Sequence, residues 1–580
     1  MYDQDGKQPR AGGDAAPRTL RTGIALGVAG LLAAVNTLTV SGAARAVAPT
    51  APVAVPAASV SATAPVAGLA PGLAPATAPA LAPATALQQV RWTTDTVAPG
   101  VQVRTGVIQN RGARPVWTVT IQAPAVNRLT GAATWAPLGD RAWADTTEGQ
   151  LRAAGFAPRV ERVVWDEYAD TPRGTMGWQL RVGSYATQAE AQSTNQAVSA
   201  GGFRTAVEWT GYDGRQLADR ESVHVAVIDP ARFRGTVAST HDGNVADRGT
   251  TSSVAVKNGS LLAVNGGFFI TSDADGVQGT VAGIAAYDGE LESMAAGSRA
   301  ALILADGGRH PRITDLSTTV TARAKSSAYA VQGINRLPGK VRNCGRPGGA
   351  PTELARHDTT CSLPDDLVKF TPRFRAALPE GAGVQVVLDS RDRVVSTGPR
   401  GGTVPAGGSV LQGIGGAADW LSAQGHEGER ISVREVIRDS AGRQVELGAH
   451  DSIVSAAPTL VKNGRIAVDA ATEGTLDPLD LSFGFAWSNV RQPRTMAGID
   501  GHGRLLLVTV DGRQPGVSEG FTLGEAARFM RSLGAKQALN LDGGGSSAMV
   551  VGGKLVNITS DATGERAVGD TVQVLLARRG

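Results

Sequence analysis

Apolar and polar residues alternate with a period of two along most of this chain, and stretches with a helical period are few and short. Val101-Gln102-Val103-Arg104, Val116-Trp117-Thr118-Val119-Thr120-Ile121 and His224-Val225-Ala226-Val227-Ile228-Asp229 therefore read as strands. Leu261 to Asn265 is a short apolar strand, and Leu302 to Ala305 and Val384 to Asp389 repeat the pattern. Helices are expected over Ala417 to Ala423 and Thr522 to Leu533. In the second, Thr522 and Glu525 have the spacing of a capping box, in which hydroxyl and carboxylate satisfy first-turn donors. These elements predict an α+β fold: a large mixed-sheet assembly with few helices, its function on strand ends and loops.

A smaller unit precedes that assembly. Glu148 to Ala154 reads as a short helix ending at Gly155, and Val160 to Trp165 as a strand. Trp178-Gln179-Leu180-Arg181-Val182-Gly183-Ser184-Tyr185 is a second strand, followed by a helix from Thr187, then Gly201-Gly202-Phe203 and the strand Thr205 to Trp209. This string resembles the SPOR domain, a βαββαβ peptidoglycan-binding module. The resemblance implies contacts from its sheet face to glycan strands through Gln179, Arg181, Ser184 and Tyr185. A packing module without a ligand is the alternative.

The N-terminus has the form of an export signal. Arg18 and Arg21 precede an uncharged stretch from Thr22 to Ala44, followed by small-residue cleavage sites around Ala44 to Ala48. The uncharged run approaches bilayer-spanning length, so an uncleaved anchor is the other reading, and the only route to a membrane. The expected organisation is a signal peptide or anchor at 1–48, an Ala/Pro-rich spacer at 49–88, a strand-rich segment at 89–136, the SPOR-like unit at 137–213 and the main domain at 220–580. Cys344 and Cys361 are the two cysteines; they bracket a Gly/Pro-rich loop and suit a disulfide, as export permits. The expected location is secreted or wall-associated.

Composition narrows the chemistry further. A chain of 580 residues exceeds one core. Aromatics are only 4%, the formal charge is +4, and no basic run interleaves with aromatics, which argues against nucleic acid as a partner. No Gly-x-x-x-x-Gly-Lys-Ser/Thr loop implies ATP, and Ser546-Ser547 lies in no Gly-x-Ser-x-Gly elbow.

Candidate chemistry concentrates near the C-terminus, in Asn540-Leu541-Asp542-Gly543-Gly544-Gly545-Ser546-Ser547. Three glycines between two strands forfeit packing, which is accounted for if a ligand approaches the backbone. With Val264-Asn265-Gly266-Gly267-Phe268-Phe269, Pro493-Arg494-Thr495, Val510-Asp511-Gly512-Arg513, Ser518-Glu519-Gly520 and Glu525-Ala526-Ala527, this string resembles the phosphodiester glycosidase family over about residues 220–580. The resemblance implies hydrolysis of a sugar-1-phosphodiester at the anomeric carbon.

Such a reaction expels a phosphate whose second pKa is near 6. The protein's task is then to hold an anion and stabilise an oxocarbenium-like centre. Asp542 is the first candidate catalytic carboxylate and Asp511 the second; Glu525 is equally a cap or a catalytic group. Arg494, Thr495, Arg566, Gly543, Gly544, Ser546 and Ser547 are candidate phosphate or sugar contacts. Asn265 is a candidate for sugar hydroxyls, with Gly266 and Gly267 allowing close approach. No cofactor is required by the sequence, although Asp542, Asp511, Asp500 and Glu525 would offer oxygen ligands to Ca²⁺ or Mg²⁺. The family's Gly-Gly-Pro is replaced by Ala456-Ala457-Pro458, which would reshape the site if it lines it. The expected partners are a sugar-phosphodiester substrate and wall glycan. A non-catalytic glycan-binding protein, or a role in exopolysaccharide assembly, are the competing readings.

Overall fold

The computed structural model describes residues 91–128, 131–325, 327–344 and 356–577; the leader and spacer expected at 1–48 and 49–88 lie outside the described residues. Among the described residues no helix is long and apolar enough to cross a membrane.

An eight-stranded antiparallel sheet forms the backbone of the main domain. Its order is Arg91–Ala98, Val101–Gln109, Arg220–Ile228, Leu505–Val510, Arg494–Asp500, Ala535–Asn540, Thr459–Lys462 and Arg465–Ile466. Both faces are covered, which is why its central strands read as nearly continuous apolar runs. Val223, Val225, Leu506, Val508 and Met496 pack on the helix Leu523–Ser532 through Ala526, Ala527, Phe529 and Met530. Ala226, Ile228, Leu505, Leu507 and Ala497 face the other way, against Leu262, Val264, Val572 and Val574 of a five-stranded sheet and Leu302 and Leu304 of a seven-stranded one.

The strand-rich segment at 89–136 is divided between units. Its first hairpin, Arg91–Ala98 with Val101–Gln109, joins the edge of the main sheet, so that sheet begins well before residue 220. Trp117–Ile121 instead enters a separate four-stranded antiparallel sheet of order Pro158–Val164, Thr175–Tyr185, Trp117–Ile121, Thr205–Trp209. The helices Arg141–Ala153 and Gln188–Ala200 cover one face of it, with Val119, Ile121, Leu151, Leu180, Val182 and Val198 as the core between.

This small βαββαβ unit is an insertion in a hairpin. The chain leaves the main sheet at Gln109 and returns at Arg220, and those two residues are register partners. Further ties hold it down. Tyr168, 3% exposed, donates its hydroxyl to the Ser488 carbonyl, and Trp209 Nε1 donates to Glu519.

The sheet face expected to take glycan is filled by the chain itself. Gln179 and Arg181 are each 3% exposed. Arg181 is paired with Glu161 and Asp213 at 2.9 Å, and Arg215 lies over the same face, donating to Gln179 at 2.8 Å. Asp213 is subject to an upward push from burial, yet Arg215 and Arg181 hold its carboxyl down to about 2. Tyr185 accepts from Thr194, and Ser184 alone of the four residues stays exposed.

Candidate active site

A cleft of about 250 Å³ opens where the glycine-rich turn, the Phe268-Phe269 segment, the disulfide loop and the strand start at Arg494 meet. Its wall includes Asp542, Arg342, Arg494, Arg513, Arg566, His357, Asp358, Phe268 and Trp487.

Asp542 sits at the end of strand Ala535–Asn540, half-buried and facing the cleft. Burial pushes its carboxyl up to about 6, against the Ser546 hydroxyl, the Arg566 charge and the Gly543 N–H, while Asp358 acts upward with burial. The loop that carries it is cross-tied by Asn265. That side chain, 1% exposed, donates to the Asp542 carbonyl at 2.8 Å and accepts from Thr495 Oγ1 at 2.6 Å and Ala548 N at 3.1 Å. Asn265 and Thr495 therefore hold the Asp542 loop in place from behind, and neither lines the cleft.

The glycines of that first motif are required by packing. A Cβ on Gly266 would lie 2.2 Å from Asp570 Oδ1, and one on Gly267 would lie 2.1 Å from the Ser455 carbonyl. In the Gly543-Gly544-Gly545 turn the amides of Gly543 and Gly544 bond to Asp542 Oδ1 and the Pro493 carbonyl, and those of Ser546 and Ser547 bond back into the turn. Gly543, Gly544 and Gly545 do line the cleft, but a Cβ at Gly545 would strike the Arg566–Asp561 pair at 2.2–2.3 Å. Ser546 and Ser547 are 1% and 2% exposed. These four amides are thus spent within the fold, and the charged donors on the cleft wall are arginine side chains.

Those side chains are held in different ways. Arg494, 1% exposed, spends Nε on the Phe521 carbonyl and one Nη on the Trp487 carbonyl, and stacks 4.9 Å from the Trp487 ring. It pairs with no carboxylate among the described residues, and burial brings its guanidinium down to about 9. Arg513 is anchored through Gln492; burial and the Arg566 charge lower it as well. Arg566 is bridged to Asp561 at 2.7 Å, and Arg342 to Asp275 at 3.1 Å.

Opposite them stands an aromatic stack. His357 lies 4.2 Å from the Phe268 ring centroid and 4.9 Å from that of Trp487. Burial, reinforced by Arg299, Arg342 and Arg494, keeps its pKa well below the usual histidine value, so the ring is neutral. The Cys344–Cys361 disulfide ties the strand end that carries Arg342 and Asn343 to the segment that carries His357 and Asp358 into the cleft.

Two candidate carboxylates lie elsewhere. Asp511, 1% exposed, accepts from Ile558 N at 3.0 Å and sits 3.5 Å from His224 Nε2, away from the cleft wall. Glu525 completes the capping box at Thr522 and chelates Arg491 at 2.6–3.1 Å. Burial acts upward on it, but Arg491 lowers its pKa. Asp500 pairs with Arg504 at 2.6 Å at the far end of its strand. The four carboxylates proposed as oxygen ligands thus have separate partners. Among the described residues no group of three or more acidic, histidine or cysteine side chains could hold a metal ion. Ala456 and Ala457 lie in the core, 1% and 0% exposed, so the missing Gly-Gly does not reshape the cleft.

Sequence reasoning missed His357, Asp358, Trp487 and Arg342, which belong to no recognised motif and reach the cleft through tertiary contacts. Arg513 and Phe268 were within motifs already singled out.

The site is thus an arginine-walled cleft with Asp542 and Asp358 on its wall, set among antiparallel sheets. The sequence model of the phosphodiester glycosidase family matches residues 382–575 of this chain. A crystallised protein of Burkholderia pseudomallei, named as a candidate exported protein, is 32% identical, with a TM-score of 0.72 over 84% of this chain and 96% of that one. The mouse N-acetylglucosamine-1-phosphodiester alpha-N-acetylglucosaminidase is 28% identical over 184 residues, 31% of this chain and 34% of the mouse protein. Its human counterpart is 33% identical over 110 residues, 19% of this chain and 21% of the human protein. The match spans about a third or less of these curated relatives.

Proposed function

We propose that this protein is an exported glycosidase that cleaves sugar-1-phosphodiesters of envelope or extracellular glycans at the anomeric C–O bond. The observation that carries this reading is the grouping of Arg342, Arg494, Arg513 and Arg566 around Asp542 in one cleft. Guanidinium groups pair with phosphate oxygens in a planar, bidentate way. Their charge stabilises the phosphate monoester as it leaves, and with a second pKa near 6 that group departs with little protonation. Asp542, ionised above about pH 6, is the carboxylate that stabilises positive charge developing at the anomeric carbon. The neutral His357–Trp487–Phe268 stack offers the apolar face of a sugar ring a wall.

Export is supported by the leader-like N-terminus and by the disulfide. Attachment to wall glycan through the βαββαβ unit remains part of this reading, although not through the closed Gln179–Arg181 face. The deciding experiment measures sugar release from α- and β-linked GlcNAc-1-phosphodiesters by the wild type and Asp542→Asn, with and without chelator. Release by the wild type alone is expected. Retained binding without release in either protein would favour a glycan-binding module.

A further inference from the structure

The βαββαβ unit carries an open groove of about 580 Å³, away from its closed sheet face. It lies between the N-terminal half of helix Arg141–Ala153, the hairpin Ala123–Val126 with Ala133–Ala136, and the turn at Gly202-Phe203-Arg204. The volume is in the range of small-ligand sites.

Its lining is aromatic and amide-rich. Trp135 is 43% exposed, held on a two-stranded hairpin opposite Pro124, with the Arg204 guanidinium 5.4 Å from its ring. Trp143 and Phe203 are half-buried on the same groove, backed by the unit's own core. Gln122 and Gln150 border it, and neither side-chain amide has a hydrogen-bond partner among the described residues. An exposed tryptophan that shields no core, beside amides free to bond a ligand, presents the flat apolar face and polar rim of a binding surface.

Charge decides what that something is. Asp140 is the one acidic group in the lining and Arg204 the one basic group, and Arg204 is already stacked on Trp135. This contrasts with the catalytic cleft, where four arginines face two carboxylates. The groove therefore suits a neutral ligand with flat apolar faces and a rim of hydroxyl and amide groups. A pyranose chain has that chemistry: its C–H faces stack on indole while its hydroxyls and N-acetyl groups bond to glutamine amides.

We infer that the groove formed by Trp135, Trp143, Phe203, Gln122 and Gln150 is an accessory binding site for neutral glycan chains. It holds the polymer while the arginine cleft acts on its phosphodiesters. The inference leans on the glycosidase reading only for the choice of sugar. Because the unit is pinned at Gln109 and Arg220 and tied at Tyr168 and Trp209, a glycan held there is presented from a fixed platform and not from a flexible tether.

The test is calorimetric titration of the full chain, carrying Asp542→Asn to prevent turnover, with tetra-N-acetylchitotetraose and with maltotetraose. Saturable binding of at least one is expected, changing less than twofold between 0.05 and 0.5 M NaCl (roughly the invariance due to a neutral ligand). Trp135→Ala should weaken it at least tenfold and Trp135→Phe less; Trp135 is exposed, so both variants retain the fold. Binding of neither sugar, equal affinity in Trp135→Ala, or steep loss with salt would overturn the inference. Hydrolysis of a soluble GlcNAc-1-phosphodiester, measured in parallel with Trp135→Ala alone, should match the wild type. If neither protein hydrolyses it while the groove still binds glycan, the glycosidase reading falls and the groove stands.

Discussion

Asp542 and Asp511 both end apolar strands, and only their surroundings separate them. Asp542 faces the cleft with a pKa near 6, whereas Asp511 is buried against Ile558 N and His224. Asp542→Asn should therefore abolish sugar release while leaving substrate binding in place, which equilibrium titration would check. The same variant has a stability signature. The Asp542 carboxyl is raised from 3.8 to about 6 on folding, so the folded state binds its proton more tightly. Stability from this group is present below the unfolded value and is lost as pH rises through about 6. Asp542→Asn should then melt higher than the wild type at pH 8 and at about the same temperature near pH 3. A thermal-shift series that shows no pH dependence in the difference would contradict the buried carboxyl. Among the described residues Arg513 holds no carboxylate within ion-pair distance, and its side chain is anchored through Gln492. Arg513→Ala should raise KM for a phosphodiester about tenfold or more, with a melting temperature near that of the wild type, because a charge-assisted bond to phosphate contributes roughly 1.5–3 kcal/mol.

At the scale of elements, two devices fix the cleft. The Cys344–Cys361 bridge ties the segment that supplies Arg342 and Asn343 to the one that supplies His357 and Asp358. Replacing both cysteines by serine should cost about 3 kcal/mol of stability by the chain-entropy argument. It should also lower kcat/KM out of proportion to the unfolded fraction, which steady-state kinetics at 20 °C would separate. The helix Leu523–Ser532 begins with Glu525 joined to Arg491, whose guanidinium also donates to the carbonyls of Gly211, Asp213 and Gln216. Glu525→Ala leaves buried Arg491 without its closest carboxylate, with Glu221 at 3.9 Å, a change that typically costs about 3–5 kcal/mol. Denaturant melts should show that loss, while kcat of the remaining folded enzyme stays within about twofold. A large kcat effect in folded protein would restore Glu525 as a catalytic group. The capping spacing was visible in the sequence; the pairing with Arg491, thirty-four residues away, was not.

For the whole molecule, the insertion of the βαββαβ unit matters most. Its ends pair directly at Gln109 and Arg220, and its Tyr168, Val163 and Met176 enter the core on the helix side of the main sheet. The unit and the main domain should therefore unfold together. A single calorimetric transition for residues 91–577 is expected, and two resolved transitions would show the unit to be independent.

The sequence by itself determined the elements and the chemistry types. Period-two runs placed the strands, and Thr522 with Glu525 marked the start of a helix. The family motifs located Asp542, Arg494 and the glycine-rich turn because each motif is local in the chain. Only the tertiary structure decided roles. Asn265, Gly266 and Gly267 look like ligand contacts in one dimension, yet they are spacers between Asp542, Thr495, Asp570 and Ser455, which come from distant segments. Likewise, the polar residues Gln179 and Arg181 alternate as a solvent face would, until Asp213 and Arg215 fold back to cover them. Burial depends on what arrives from elsewhere in the chain, and periodicity reports only which face a residue occupies.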